Sequence, residues 1–151
     1  MRGEVVYLDN SAIVKRYFEE PGSGIVREAY LRAYSGEVAL SYSAWNVGEI
    51  LGVLDRAKRT GRISEEIYAL AKRRLLAETR RLAKLGILFL VPVRMKLLVE
   101  SWRLPEKYHV YEADALQIAS AKYARADRFL TGDERVHEIA QSEGLNSTYL
   151  G

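Results

Sequence analysis

Four acidic residues stand where carboxylates can do chemistry. Asp9 ends the β-rich run Val5-Val6-Tyr7-Leu8, and Asp133 follows Phe129-Leu130-Thr131-Gly132. Both sit at the carboxyl ends of strand-like segments, the edge at which open α/β sheets hold their ligands. Glu49 lies mid-helix, roughly opposite the apolar stripe Val47, Ile50, Leu51 and Leu54, on a side that also carries Trp45, Gly48 and Gly52. An interior glycine costs a helix about 1 kcal/mol relative to alanine, so this pair suggests close backbone approach or access to a cleft. Asp114 opens an Ala-rich segment beside Ala113, Ala115, Leu116 and Ala119. A largely buried carboxylate there needs a cation or a hydrogen-bonding partner. Each acid also has a plain structural reading. Asp9 and Asp133 suit helix N-caps, Glu49 suits an exposed face, and Asp114 suits the positive end of a helix dipole. Glu112 points away from Asp114 on helical spacing and reads as a surface residue.

If the four acids converge, they cannot all stay ionised without compensation. Oxygen-only ligands, with no cysteine and only His109 and His137 in the chain, select a hard cation, Mg²⁺ or Mn²⁺. Four carboxylates can hold one such ion firmly or two loosely. An ion of this kind activates a water, orients a phosphodiester and neutralises charge on the leaving oxygen. Hydrolysis of a nucleic-acid backbone fits. Other chemistries have less to stand on. Lack of cysteine removes disulfides, thiolate nucleophiles and Cys-based metal sites, and two histidines cannot build a three-His centre. No GxGxxG or GxxxxGK[ST] stretch is present, and Ser11 has no evident His partner for a hydrolytic triad.

The elements that must position these residues alternate strand and helix along the chain. Strand-like runs at Val5–Leu8, Glu37–Ser41, Ile87–Val91, Arg128–Leu130 and Ser147–Tyr149 are separated by helical patterns. Helices are expected over Ala12–Glu19, Ser23–Tyr34, Ser43–Thr60 closed by Gly61, Ser64 to Gly86, and from Pro92 to Arg103, followed by a Pro105 loop. A buried helix over Glu112–Ala126 and a last helix after Asp133 complete the set. The unbroken apolar run Ile87–Val91 reads as a strand covered on both faces. This alternation predicts an α/β fold, a three-layer α/β/α sandwich around a mostly parallel, about five-stranded sheet. At 151 residues a single domain over 1–151 is expected.

Charge is distributed unevenly. Asp55–Lys84 holds ten Lys/Arg and four acids, +6 against +3 for the whole chain, which leaves −3 elsewhere. A polyanion-binding surface and a solvated helical face both account for that segment; Arg73, Arg74, Arg80 and Arg81 are the candidate phosphate contacts. No apolar run reaches the roughly 18–20 residues of a membrane span, and the N-terminus lacks a charged-then-apolar leader pattern, so a cytoplasmic location is expected.

Val6-Tyr7-Leu8-Asp9-Asn10-Ser11-Ala12, Val47-Gly48-Glu49-Ile50, Asp114-Ala115-Leu116-Gln117-Ile118-Ala119 and Phe129-Leu130-Thr131-Gly132-Asp133 together resemble the PIN-domain ribonucleases, in particular the VapC-type toxins of prokaryotic toxin–antitoxin pairs. Order and spacing match along the whole chain. The resemblance implies Asp9, Glu49, Asp114 and Asp133 as the Mg²⁺/Mn²⁺ site, with Ser11 and Thr131 as supporting polar groups. It implies an endoribonuclease acting on single-stranded RNA or RNA loops, a homodimer, and a small antitoxin protein as inhibitor. Asn10 departs from the family's usual Thr or Ser. An RNA-processing nuclease without an antitoxin, and a non-catalytic RNA-binding module, are the alternatives; loss of any of the four acids would favour the latter.

Overall fold

The computed structural model describes residues 3–151; Met1 and Arg2, at the head of the N-terminal segment read above, lie outside them. Five strands, β1 (Glu4–Leu8), β2 (Val38–Ser43), β3 (Leu88–Val91), β4 (Arg128–Thr131) and β5 (Ser147–Tyr149), form one sheet in the order β3-β2-β1-β4-β5. All four pairings are parallel, with Tyr7 opposite Ser41 on one side and Phe129 on the other. Parallel pairing forces a crossover between strands, and the helices supply it. These are α1 (Asn10–Tyr17), α2 (Ser23–Tyr34), α3 (Ala44–Arg59), α4 (Glu65–Lys84), α5 (Met95–Ser101), α6 (Arg103–Tyr108), α7 (Glu112–Tyr123) and α8 (Glu134–Ser142).

Strand alternation sorts the core into two layers. Val6 and Leu8 of β1 point into one apolar cluster with Ala12, Val26, Tyr30, Ile50, Leu54, Leu75 and Leu82, hence with α1 to α4. Tyr7, between them, points the other way and packs with Leu97, Leu104, Leu116, Ile118, Phe129 and Ile139. Period-two alternation on a central strand requires that split. The three-layer α/β/α sandwich with a parallel five-stranded sheet is the observed fold.

Local signals account for most element ends. Ser43 and Ser64 cap α3 and α4 by accepting from the amides of Trp45 and Ile67. One local expectation is corrected and another is borne out in part. The region after Pro92 is two short helices, and Pro105 lies inside α6. It occupies the first turn, where no amide is needed for the helical ladder. The strand over Leu88–Val91 is a sheet edge, and Phe89 is 47% exposed, stacked on Tyr123. Leu88 and Leu90 pack in one core layer and Val91 in the other, so the apolar run meets the core on both faces and only Phe89 departs from that reading.

Candidate active site

β1 and β4 are neighbours, so their carboxyl ends bring Asp9 and Asp133 to one edge. Asp9 caps α1 through Oδ1, which accepts from the Ala12 amide (3.0 Å) and from Ser11 Oγ (2.6 Å). Its other oxygen accepts from Thr131 Oγ1 at 2.6 Å. The capping reading is therefore correct for one oxygen, and the other belongs to a cross-strand contact. Ser11 Oγ also accepts from the Gly132 amide (2.8 Å), and Thr131 Oγ1 accepts from the Asp133 amide (3.0 Å). Ser11 and Thr131 thus bind β4's exit loop to Asp9. Gly132 keeps this approach close: a Cβ would lie 2.8 Å from Lys15 Cε and displace the end of that side chain. Lys15 is buried beside this loop with its Nζ on Glu20 (3.1 Å), a neighbour that the sequence alone did not reveal.

Asp133 caps α8 through the Val136 amide, as the structural reading has it. Asp114, in the first turn of α7, is half-buried, and among the described residues nothing donates a hydrogen bond to it. Glu49 projects from α3, half-buried. Gly48 and Gly52 beside it face open space, so close backbone approach is not their role. Glu112 is also corrected: it turns inward, where Ser101 Oγ donates to it and its second oxygen is buried without a partner. His109 and His137 are structural, the first in a left-handed C-cap and the second bonded to Ser147.

Electrostatics link the four acids in sequence. Burial pushes the Asp9 carboxyl up to about 6, against the Ser11, Thr131 and Ala12 donors, with Asp133 adding repulsion. Asp114 is raised by burial and by the charge of Asp133. Glu49 is raised by burial, opposed by Trp45, and by the charge of Asp114. The coupling runs Asp9–Asp133–Asp114–Glu49. Among the described residues, none of these four forms an ion pair with Lys or Arg.

No three His, Cys, Asp or Glu among the described residues stand close enough to enclose a cation. Of the two arrangements open to four carboxylates, one ion held firmly or two held loosely, the first has no enclosing group among the described residues. Mg²⁺ commonly binds through one or two carboxylates and keeps its waters. Oxygen donors with no ion pair to Lys or Arg among the described residues fit such a hydrated ion.

Away from the acids, Arg73, Arg74 and Arg81 line a groove of about 490 Å³ with Arg16, Tyr17, Ala77 and Glu78. Arg80 is exposed on the same helix outside that lining, and Arg16 is a member that the charge count over Asp55–Lys84 did not include. Arg74 stacks over Tyr17 and Arg16 over Tyr30.

The family model for the PIN domain matches residues 6–142, and the chain belongs to the PIN domain family. No curated protein sequence matches it. Solved structures share the fold at low identity. VapC20 of Mycobacterium tuberculosis, a Sarcin-Ricin loop cleaving toxin, has 14% identity and a TM-score of 0.64, covering 93% of this chain and 95% of that one. VapBC2 of Rickettsia felis, bound to a DNA fragment from its promoter, has 13% identity and a TM-score of 0.62 over 97% and 99%. FitAcB of Neisseria gonorrhoeae has 17% identity and a TM-score of 0.64 over 94% and 95%. Among the described residues, no helix is long and apolar enough to cross a membrane.

Proposed function

We propose that this chain is a metal-dependent endoribonuclease, the toxin of a toxin–antitoxin pair. The observation that carries the reading is that Asp9, Asp133, Asp114 and Glu49, which are linked in turn through their charges, have no ion pair to Lys or Arg among the described residues of a PIN-domain fold. Asp9, Glu49, Asp114 and Asp133 would hold Mg²⁺ or Mn²⁺, pairwise and through water. Bound there, the ion supplies an activated water and neutralises charge on the scissile phosphodiester. Ser11 and Thr131 fix Asp9 by donating to its two oxygens, which keeps the carboxylate aimed while the amides of Ala12, Gly132 and Asp133 hold the frame.

The substrate is single-stranded or loop RNA, whose splayed bases meet exposed side chains such as Tyr111, 84% exposed just before α7. The Arg73, Arg74, Arg80 and Arg81 face contacts phosphate. The protein works in the cytoplasm as a homodimer, and a small antitoxin silences it by inserting an Arg into the carboxylate run. Cleavage of a mixed RNA pool, with Mn²⁺ or Mg²⁺ and with excess EDTA, tests the reading against Asp9→Asn. Cleavage that needs the metal and is lost in the variant is expected; full activity in EDTA overturns it. Co-expression with the neighbouring gene tests the antitoxin; absence of any co-purifying partner, together with harmless over-expression of the protein alone, removes it.

A further inference from the structure

Beneath the acids lies a polar contact that the catalytic reading does not use. Asn46 of α3 and Gln117 of α7 are 0% and 1% exposed. Their amides exchange two hydrogen bonds: Asn46 Nδ2 donates to Gln117 Oε1 at 2.9 Å, and Gln117 Nε2 donates to Asn46 Oδ1 at 2.6 Å. Gln117 Oε1 also accepts from Tyr7 Oη at 2.8 Å, and Asn46 Nδ2 reaches the carbonyl of Leu8 at 3.4 Å. Only one orientation of both amides satisfies these neighbours, because the Leu8 carbonyl can only accept.

The spacing is informative. Asn46 precedes Glu49 by three residues and Gln117 follows Asp114 by three, so each amide lies on the same helix face as an acid, one turn away. The Leu8 carbonyl adjoins Asp9. A single buried contact therefore joins the three elements that carry Asp9, Glu49 and Asp114. A two-bond amide pair accepts one register, since either amide left unpaired in the core costs about 1–3 kcal/mol.

We propose that Asn46 and Gln117 are positioning residues, a buried amide clasp that sets the separation of Glu49 and Asp114 for cation binding. This rests on the reading of those acids as the cation site. The test is Mn²⁺ binding to the purified protein without RNA, followed by the electron paramagnetic resonance of free ion. Gln117→Met keeps the side chain's length and removes both bonds to Asn46 and the one from Tyr7 Oη; its Mn²⁺ dissociation constant should rise about tenfold, in line with losses on removing groups that orient metal ligands. The exchange variant N46Q/Q117N rebuilds an amide pair of the same total length and should recover most of that loss. Thr79→Val removes a buried hydrogen bond to Tyr42 (2.7 Å), joining β2 and α4, and should leave Mn²⁺ binding unchanged. Wild-type affinity in Gln117→Met, or equal weakening in Thr79→Val, overturns the clasp. Asp114→Asn separates the two levels. If it loses Mn²⁺ while Gln117→Met does not, only the clasp falls; if it binds as wild type does, the cation site falls and the clasp with it.

Discussion

At the scale of single residues, Asp9 combines two demands that usually conflict. Its side chain is 2% exposed, yet the proposed chemistry needs it as an anion. Ser11, Thr131 and the Ala12 amide supply the donors that make this tolerable, and a cation would complete the compensation. Asp9→Asn keeps the cap on α1 and should still lower RNA cleavage at least about 10²-fold, because it removes an anion facing the metal. Thr131→Val leaves the charge and removes one donor, so a smaller loss, about tenfold, is expected. Equal rates in Thr131→Val and wild type would reduce Thr131 to a loop brace. Asp9 and Asp133 were legible in the sequence because a strand end followed by an acid fixes the sheet edge it occupies. Asn46, Gln117 and Lys15 were not, since only the packed structure tells which polar side chains turn inward. Glu112 was misread for that reason: helical spacing gives an angle around α7 and says nothing of α5 lying against it.

At the scale of elements, α1 is tied to α4 by Glu78. Arg16 donates to it with two nitrogens (2.8 and 2.9 Å), and the hydroxyls of Tyr17 and Tyr34 add two more bonds. Burial works to raise this carboxyl, and Arg16 with the two tyrosines outweighs it, leaving the group below its ordinary value. Glu78→Leu should cost about 3–5 kcal/mol in denaturant unfolding, because Arg16 is left partly buried without its partner. The double variant with Arg16→Met should recover part of that. Additive losses would mean that the pair is not coupled. The helix–strand order and most caps were readable from periodicity and from Ser, Asp and Gly at the ends. The break into α5 and α6 was not, because Pro105 is compatible with a loop and with a first helical turn alike. Nor did the apolar run Leu88–Val91 reveal that β3 is an edge, which depends on strand order.

At the scale of the molecule, charge is segregated between the acidic edge and the Arg-lined groove. If that groove takes phosphate, binding of single-stranded RNA should weaken steeply with salt. Reversal of Arg73, Arg74, Arg80 and Arg81 to Glu should flatten the slope and leave the metal requirement alone. Equal affinity and slope in that variant would leave the groove a solvated face. The acidic edge makes a different demand, on pH. Asp9 has its folded carboxyl raised to about 6, above the ordinary value of 3.8, so the folded state binds its proton more tightly than the unfolded chain does. Stability from this group is therefore full at low pH and falls as pH rises between these two values. The shift corresponds to about 3 kcal/mol at 1.36 kcal/mol per pH unit. Glu78 and Glu143, both lowered, act with the opposite sign, and their contribution is complete above the ordinary glutamate value. From pH 5 upward the acidic site governs the trend. A cation that replaces the proton should reverse it, since metal and proton compete for one carboxylate. Mn²⁺ should therefore raise the melting temperature more at pH 7.5 than at pH 5, and Asp9→Asn should shrink that difference while stabilising the metal-free protein at pH 7.5. Thermal melts at the two pH values, with Mn²⁺ and with EDTA, measure both effects. An equal Mn²⁺ shift at pH 5 and pH 7.5 would show that the ion binds away from Asp9.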